Sequence, residues 1–438
     1  MTSQEGGSPL FPGSVEGGLS QQDELPQHVA AKKSTSKKFS DLSNEILEMI
    51  LESLDEEELR VLLSTNRRFF DICSSLLHKK LSWKTYIALF KHSPLFTQGP
   101  RAHLYAESVR TVVLGGRDHY HSSTRWEWDE VIQTLSRFPS LQTLVIDHIT
   151  VPLYRLPDVL GKLPRLKQLS YRSCTGGGLN FTPQSLENLE TEGLGHFSHL
   201  EVRRLYIPNR HGFIDAGVMT MAALSTLPSL RTLHVDTTSW ETLLRGRNEA
   251  GWSLPQSLQQ IVVSPAGRPN SHAFGSNIFQ TPRKTRGFLD ALEPCVGSLE
   301  SLKILVPEAS PNLRRGAVRL NFLRLKEFVG PQELIPNIGF PPEVETVWVP
   351  GRDRLFGPPS LGSLPSPSTN LRFLSVGNWD VIEHPLRCLL VHFPNLEELS
   401  LTPRSAIAKH ADKAVFIVIA LSEPESGFYP LPVGSQVG

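Results

Sequence analysis

The chain has no surplus of charge of either sign. Lys plus Arg and Asp plus Glu number 44 each, so the formal net charge is zero. Dedicated nucleic-acid binders carry a basic surplus, and that class is not expected here. Cysteine is scarce: Cys73, Cys174, Cys295 and Cys388 lie far apart, with no pair at the short spacing of a zinc or redox motif. A disulfide scaffold is excluded, and a reducing, intracellular location follows, cytoplasmic and/or nuclear. Long apolar runs are missing too. The longest, Ala414 to Leu421, has eight residues, against about 20 for a membrane-spanning helix. The N-terminus shows no apolar stretch after a basic start, so no secretory signal is expected. The motifs of phosphate loops, zinc proteases and serine hydrolases do not occur. Neither catalysis nor a cofactor or metal is therefore expected.

Leucine is abundant, 63 residues of 438, and that excess needs an architectural cause. Residues 1–38 hold little of it. They are rich in Gly, Ser, Gln and Pro and read as a disordered tail, with Lys32, Lys33, Lys37 and Lys38 as a solvated basic cluster. Residues 39–90 differ. Ile46, Leu47, Ile50, Leu51 and Leu54 recur at helical spacing after a Ser43 cap, with Glu45 in the first turn. Asp55 and Glu58 stand as a capping box before a second helix through Leu59, Leu62 and Leu63. Asn66 or Ser64 caps a third, whose apolar face is Phe69, Phe70, Cys73, Leu76 and Leu77. Three short helices make a core that is marginal alone.

From about 105 to 422 another pattern recurs, Phe/Leu-Pro-x-Leu-x-x-Leu-x-apolar. It begins at Phe138, Leu163, Leu227 and Phe393. Looser copies end at Val112/Leu114, Ile261/Val263, Leu302/Ile304, Val347/Val349 and Leu374/Val376. Repeats of 20–29 residues with this pattern are leucine-rich repeats. Each unit supplies a short strand with alternating inward leucines, and helical stretches precede several strands, through Val131, Ile132 and Leu135 or Val218, Met221 and Leu224. One unit cannot bury its own apolar face, so the units stack into a solenoid. The expected fold is α/β: a three-helix N-terminal domain, then an irregular solenoid with a curved parallel sheet and helices and loops outside. Residues 264–298, with Arg283, Lys284 and Arg286, and the Pro/Gly/Ser-rich 350–370 read as surface loops. Cys174 alone falls where a ladder Asn or Cys belongs. Thr175-Gly176-Gly177-Gly178 reads as a turn. His119, Tyr120 and His121 read as a polar loop entering a helix anchored by Trp126 and Trp128. Residues 423–438 read as a loose tail.

The stretch from Phe39 to Leu81 resembles an F-box. Leu42, Glu45, Ile46, Leu47, Ile50, Leu54, Asp55, Leu59, Arg67, Arg68 and Phe69 fall in place. Ser43 replaces the usual proline, and Ser64-Thr65-Asn66 the common Val-Cys-Lys/Arg. The order of F-box then repeats is similar to the F-box/leucine-rich-repeat proteins, in the irregular form of fungal members. The resemblance implies the substrate-recognition subunit of a Skp/cullin/F-box ubiquitin ligase. It implies contact with the Skp adaptor, and through it cullin, by Leu42, Ile46, Leu47, Ile50 and Leu59, some of which must instead pack the small core. The repeats would capture the target protein, and the subunit itself does no chemistry. By strand register, Val145, Arg172, His234, Asp236, Trp348, Phe373 and Glu398 alternate with the inward leucines and face the concave side. Trp348 and Phe373 are the anchors of choice for a substrate, and a one-residue slip would turn them inward. The alternative is a repeat interaction scaffold with a helical cap and no ubiquitin role.

Overall fold

The computed structural model describes residues 42–116, 126–152, 156–172, 174–177, 196–203, 225, 227–250, 253–265, 281–306, 319–350, 370–379, 386–403 and 417–420. The tail to residue 38, His119 to His121, the stretch through Val218, Met221 and Leu224, most of the 350–370 segment and the tail from 423 lie outside them. The chain forms two compact units, residues 1–47 and 48–438. In the first, Ser43 Oγ accepts the Ile46 N–H at 3.4 Å, as a helix cap should, and Leu47 is buried. Helix α1, Asn44–Leu51, starts there.

In the second unit, α2, Glu56–Leu62, opens on the expected capping box. Asp55 accepts the Glu58 N–H, and the Glu58 carboxylate accepts the Asp55 N–H, both at 2.9 Å. Asn66, rather than Ser64, caps α3, Arg67–His78, accepting the Phe69 N–H at 3.0 Å. Leu51, Leu59 and Cys73 form a small buried core lined by Leu62, Ile72 and Leu76. It is separate from the main core.

The described residues hold a thirteen-stranded sheet. Its strands are β1 Lys80–Trp83, β2 Thr111–Gly115, β3 Thr143–Asp147, β5 Gln168–Arg172, β7 His199–Arg203, β8 Thr232–Asp236, β9 Gln260–Ser264, β10 Ser301–Ile304, β12 Glu327–Val329, β14 Thr346–Val349, β15 Phe373–Trp379, β16 Glu398–Pro403 and β17 Ile417–Ala420, in that spatial order. All neighbours are parallel except the last pair, β16 and β17. Short parallel pairs join β4 Thr150–Pro152 to β6 Thr175–Gly177 and β11 Leu320–Asn321 to β13 Ile338–Gly339. The Thr175-Gly176-Gly177 turn is thus a strand. The sheet begins at Lys80, well before residue 105, because Leu81 and Trp83 extend its inward rows.

The register explains the leucine excess. Val112, Leu144, Leu169, Leu200, Leu233, Ile261, Leu302, Phe328, Val347, Leu374 and Leu399 form one unbroken row across the strands. Each is at most 1% exposed. Full burial of such a side chain contributes about 1.5–3 kcal/mol, and each faces the same element of the next unit, so the stabilisation is collective. The recurrent proline sits in a tight turn before the strand. Leu141 donates its N–H to the Phe138 carbonyl at 3.1 Å, Leu166 to Leu163 and Leu230 to Leu227 at 3.0 Å. These are turns with proline second, where its fixed φ is favoured.

Helices Trp128–Leu135, Leu156–Gly161, Thr237–Ala250, Pro282–Leu292 and Leu386–His392 precede or follow strands. Trp126 is buried and Trp128 Nε1 donates to the Thr150 carbonyl at 3.2 Å, so this pair anchors its helix as expected. The segment 264–298 differs from expectation. Arg283, Lys284 and Arg286 lie on a helix that Thr281 caps, with Pro282 in its first turn, and Phe288, Leu289, Ala291 and Leu292 are buried in its later turns. The apolar residues follow the basic triplet, so the helix is hidden to a reader who weighs the charges first. Cys174 does occupy a ladder position: its thiol donates to the Ile146 carbonyl at 3.2 Å. Burial pushes that thiol up to about 12.

Candidate functional site

The sheet has one face against the core and one face away from it. On the outer face every second residue of each strand lines up with its neighbours. The middle row runs Val113, Val145, Ser170, Glu201, His234, Val262, Lys303 in the first seven strands from β2 onward. It continues through Val329, Trp348, Ser375 and Ser400. The alternation expected from the sequence is therefore correct. The exposure it implies is not uniform. Trp348 is 45% exposed and Glu398 is exposed, while His234 and Phe373 are half-buried. Val145 is buried, because strands about 4.8 Å apart let longer neighbours shade a short side chain.

Asp236 corrects the expectation more sharply. It is 1% exposed, and its carboxylate accepts the Ser239 N–H at 2.7 Å. Strand β8 ends at Asp236 and the helix Thr237–Ala250 begins at the next residue. The carboxylate is spent on the helix start, a role that strand alternation alone does not reveal.

The outer face carries a charged cluster on β5, β7 and β8. Glu201 sits at its centre, with its side chain 4% exposed. Oε2 accepts from Ser170 Oγ at 2.7 Å and from Arg172 Nη2 at 2.9 Å. Arg203 Nε lies 2.9 Å from Oε1, off the line of an aligned hydrogen bond. Arg203 Nη2 reaches on to the His234 ring at 2.9 Å. Burial pulls Glu201 upward, but the Arg172 and Ser170 hydrogen bonds and the charges of both arginines outweigh it, so the carboxyl is held below its usual range. Burial lowers His199. Burial and then the Arg203 charge lower His234 to about 4, so that ring is neutral at pH 7. Arg172 and Arg203 are register partners on adjacent strands, with side chains 47% and 44% exposed.

Strand β7, which holds Glu201 and Arg203, escapes the repeat motif. Its stretch reads Leu194-Gly195-His196-Phe197, then Leu200 and Val202. Glycine stands for the proline and phenylalanine for the first leucine. The spacing of Phe197, Leu200 and Val202, all buried, is the signal that finds it.

Further along, Lys303 Nζ meets Glu327 Oε1 at 2.8 Å, and Ser301 Oγ donates to the other oxygen at 2.8 Å. Trp348 stands two strands beyond Lys303 in the middle row, between Val329 and Ser375. The outer face thus has a guanidinium pair at one place and an exposed indole at another.

The N-terminal helices present a second surface. Met49 (71% exposed) and Ile50 on α1, and Val61 (69%) on α2, face water; Ile46 in the first unit is exposed as well and Leu42 half-buried. Leu47 and Leu59 are buried, Leu59 in the small core. Leu59 is therefore a packing residue, because a core this small needs every leucine on its inner stripe. Met49 and Val61 join this exposed apolar set although neither matches a leucine position of the motif.

Among the described residues no group of three His, Cys, Asp or Glu side chains is placed to hold a metal ion. No described helix is long and apolar enough to cross a membrane. No known protein family matches the sequence, and no curated protein does. Among solved structures the chain is similar to one in the crystal structure of a TLR13–ssRNA13 complex, at 14% identity and a TM-score of 0.32. The match covers 68% of this chain and 39% of that one, so this chain spans well under half of its neighbour's length. At that distance function has to be read from this chain's own residues.

Proposed function

We propose that the chain is a non-catalytic protein-interaction receptor. Its sheet holds a partner protein, and its N-terminal helices dock it to the Skp adaptor of a Skp/cullin/F-box ubiquitin ligase. The observation that carries the docking half is the set of large apolar side chains, Met49, Ile50 and Val61, that helices α1 and α2 turn to water beside the small core. Exposed apolar groups of this size on adjacent helices mark an interaction surface. The sheet half rests on the outer face, where Trp348 is an exposed anchor on a rigid parallel ladder. Such a receptor acts by proximity, in the cytoplasm or nucleus, and holds its target near a cullin-bound conjugating enzyme.

A second reading has its own support. The chain runs from α3 directly into β1, which pairs with β2. Helices α2 and α3 would then simply cover the first strand of an interaction scaffold. Co-purification with the Skp adaptor separates the two. Wild type should bind, and Ile50→Asp and Met49→Asp should lose binding while remaining folded by circular dichroism, since a charge cannot be desolvated in an apolar interface. Absence of adaptor binding by folded wild type refutes the ligase reading and leaves the scaffold.

A further inference from the structure

The outer face separates two chemistries: Glu201 stands in the same row as Trp348, and Arg172 and Arg203 stand in the adjacent outer row. The charged cluster lies on β5 and β7, and the exposed Trp348 lies on β14. Glu201 is buried, and it holds two guanidinium groups side by side with their outer edges in water. Its single negative charge leaves the trio with one net positive charge. Neutral His199 and His234 add none. On the far side of Arg172, Asp147 is turned to the His148 ring at 2.6 Å. With Asp147 counted the neighbourhood carries no large positive surplus, so the guanidinium edges that face water suit a singly charged carboxylate, which accepts two parallel N–H bonds, better than a doubly charged phosphate.

The distance between the two features follows from the strand order. Between β7 and β14 lie β8, β9, β10 and β12. Five steps of about 4.8 Å make about 24 Å, which an extended chain covers in about seven residues at roughly 3.3 Å each. Between the two features the middle row offers His234, Val262, the Glu327-paired Lys303 and Val329.

We propose that the partner is recognised through an extended segment lying across the strands, with Asp or Glu carboxylates on the Arg172–Arg203 pair and a bulky apolar side chain about seven residues away on Trp348. This deepens the receptor reading and rests on its sheet half, not on the adaptor surface. Glu201 acts as a positioning residue: it pre-orients both guanidinium groups, so that less side-chain freedom is lost on binding. The segment runs across the strands because the two sites lie five strands apart but only two residues apart along the strand direction: Glu201 shares the row of Trp348, and its guanidinium partners stand in the next outer row.

The test is selection from a displayed library of random twelve-residue peptides against the full chain. Enriched peptides should carry an acidic residue and an aromatic or large aliphatic residue about seven positions apart. Their affinity, read by fluorescence anisotropy, should fall about tenfold or more in the Arg172→Lys/Arg203→Lys variant, which keeps charge beside Glu201 but loses the forks. It should fall comparably in Trp348→Ala, and it should weaken with added salt. Circular dichroism confirms that both variants fold. Peptides that depend on Trp348 but show no acidic preference, or bind the lysine variant unchanged, overturn the two-point segment and leave the receptor reading standing. No enrichment on the folded chain, or binding indifferent to both variants, overturns both.

Discussion

Replacing Glu201 by Gln tests whether the outer-face cluster is held by its buried carboxylate. The substitution keeps the volume and one acceptor, but it places an amide NH2 where a guanidinium now points. Oε2 receives Ser170 and Arg172, and Oε1 faces Arg203. Charge-assisted bonds of this kind contribute about 1.5–3 kcal/mol each when fully desolvated. Here both arginines are nearly half exposed, so water recovers much of the loss. The two guanidinium groups, register partners on adjacent strands, would then repel with no counter-charge between them. Together these effects amount to about 1–2 kcal/mol, a roughly five- to thirtyfold change in a local opening equilibrium. A repeat array opens locally, so hydrogen exchange is the right assay. Amides of β5, β7 and β8 should lose protection by that factor, while β14 to β16 keep theirs. Protection unchanged within twofold in β5–β8, or lost equally along the whole sheet, would refute the reasoning.

The same cluster makes the fold sensitive to acid. His234 titrates at about 4 in the folded protein and near 6.5 when unfolded. Between those values the unfolded chain binds the extra proton, so this contribution to stability is complete above about pH 6.5 and lost as pH falls toward 4. Glu201, held below its usual range, adds a loss of the same sign at still lower pH. The His234 ring resonances should therefore not shift between pH 7.5 and 5.5 in an NMR titration; a midpoint near 6.5 would remove the argument. Gly115→Ala should be strongly destabilising. Gly115 has φ +87°, and a Cβ there would run into the Asp147 carbonyl on the neighbouring strand. Strain alone costs about 1–2 kcal/mol, and the clash between β2 and β3 adds to it. A thermal midpoint equal to wild type would show that the strand pair can part.

Much of this protein was legible in its leucines. The Phe/Leu-Pro-x-Leu segments all land on turn and strand, and the looser copies all become strands, because period-two burial and a proline turn are local properties. The capping signals at Asp55 and Asn66 are equally local, and both hold. What escaped was whatever a neighbouring unit decides. Strand β7 lacks the proline and is recruited by β5 and β8 on either side. The basic triplet 283–286 joins a helix because four apolar side chains downstream find a core. Asp236 looked exposed by alternation, yet the helix that follows it takes its carboxylate. Leu59 matched a binding motif, but a small core claimed it. Sequence alone determined the repeat, its inward rows and the helix caps, all of which depend on spacing within a few residues. Only the tertiary structure decided which side chains of the outer face remain in water and which charges meet. Residues 29 and 31 apart, Arg172 and Glu201 or Arg203 and His234, become neighbours only when separate units stack in register.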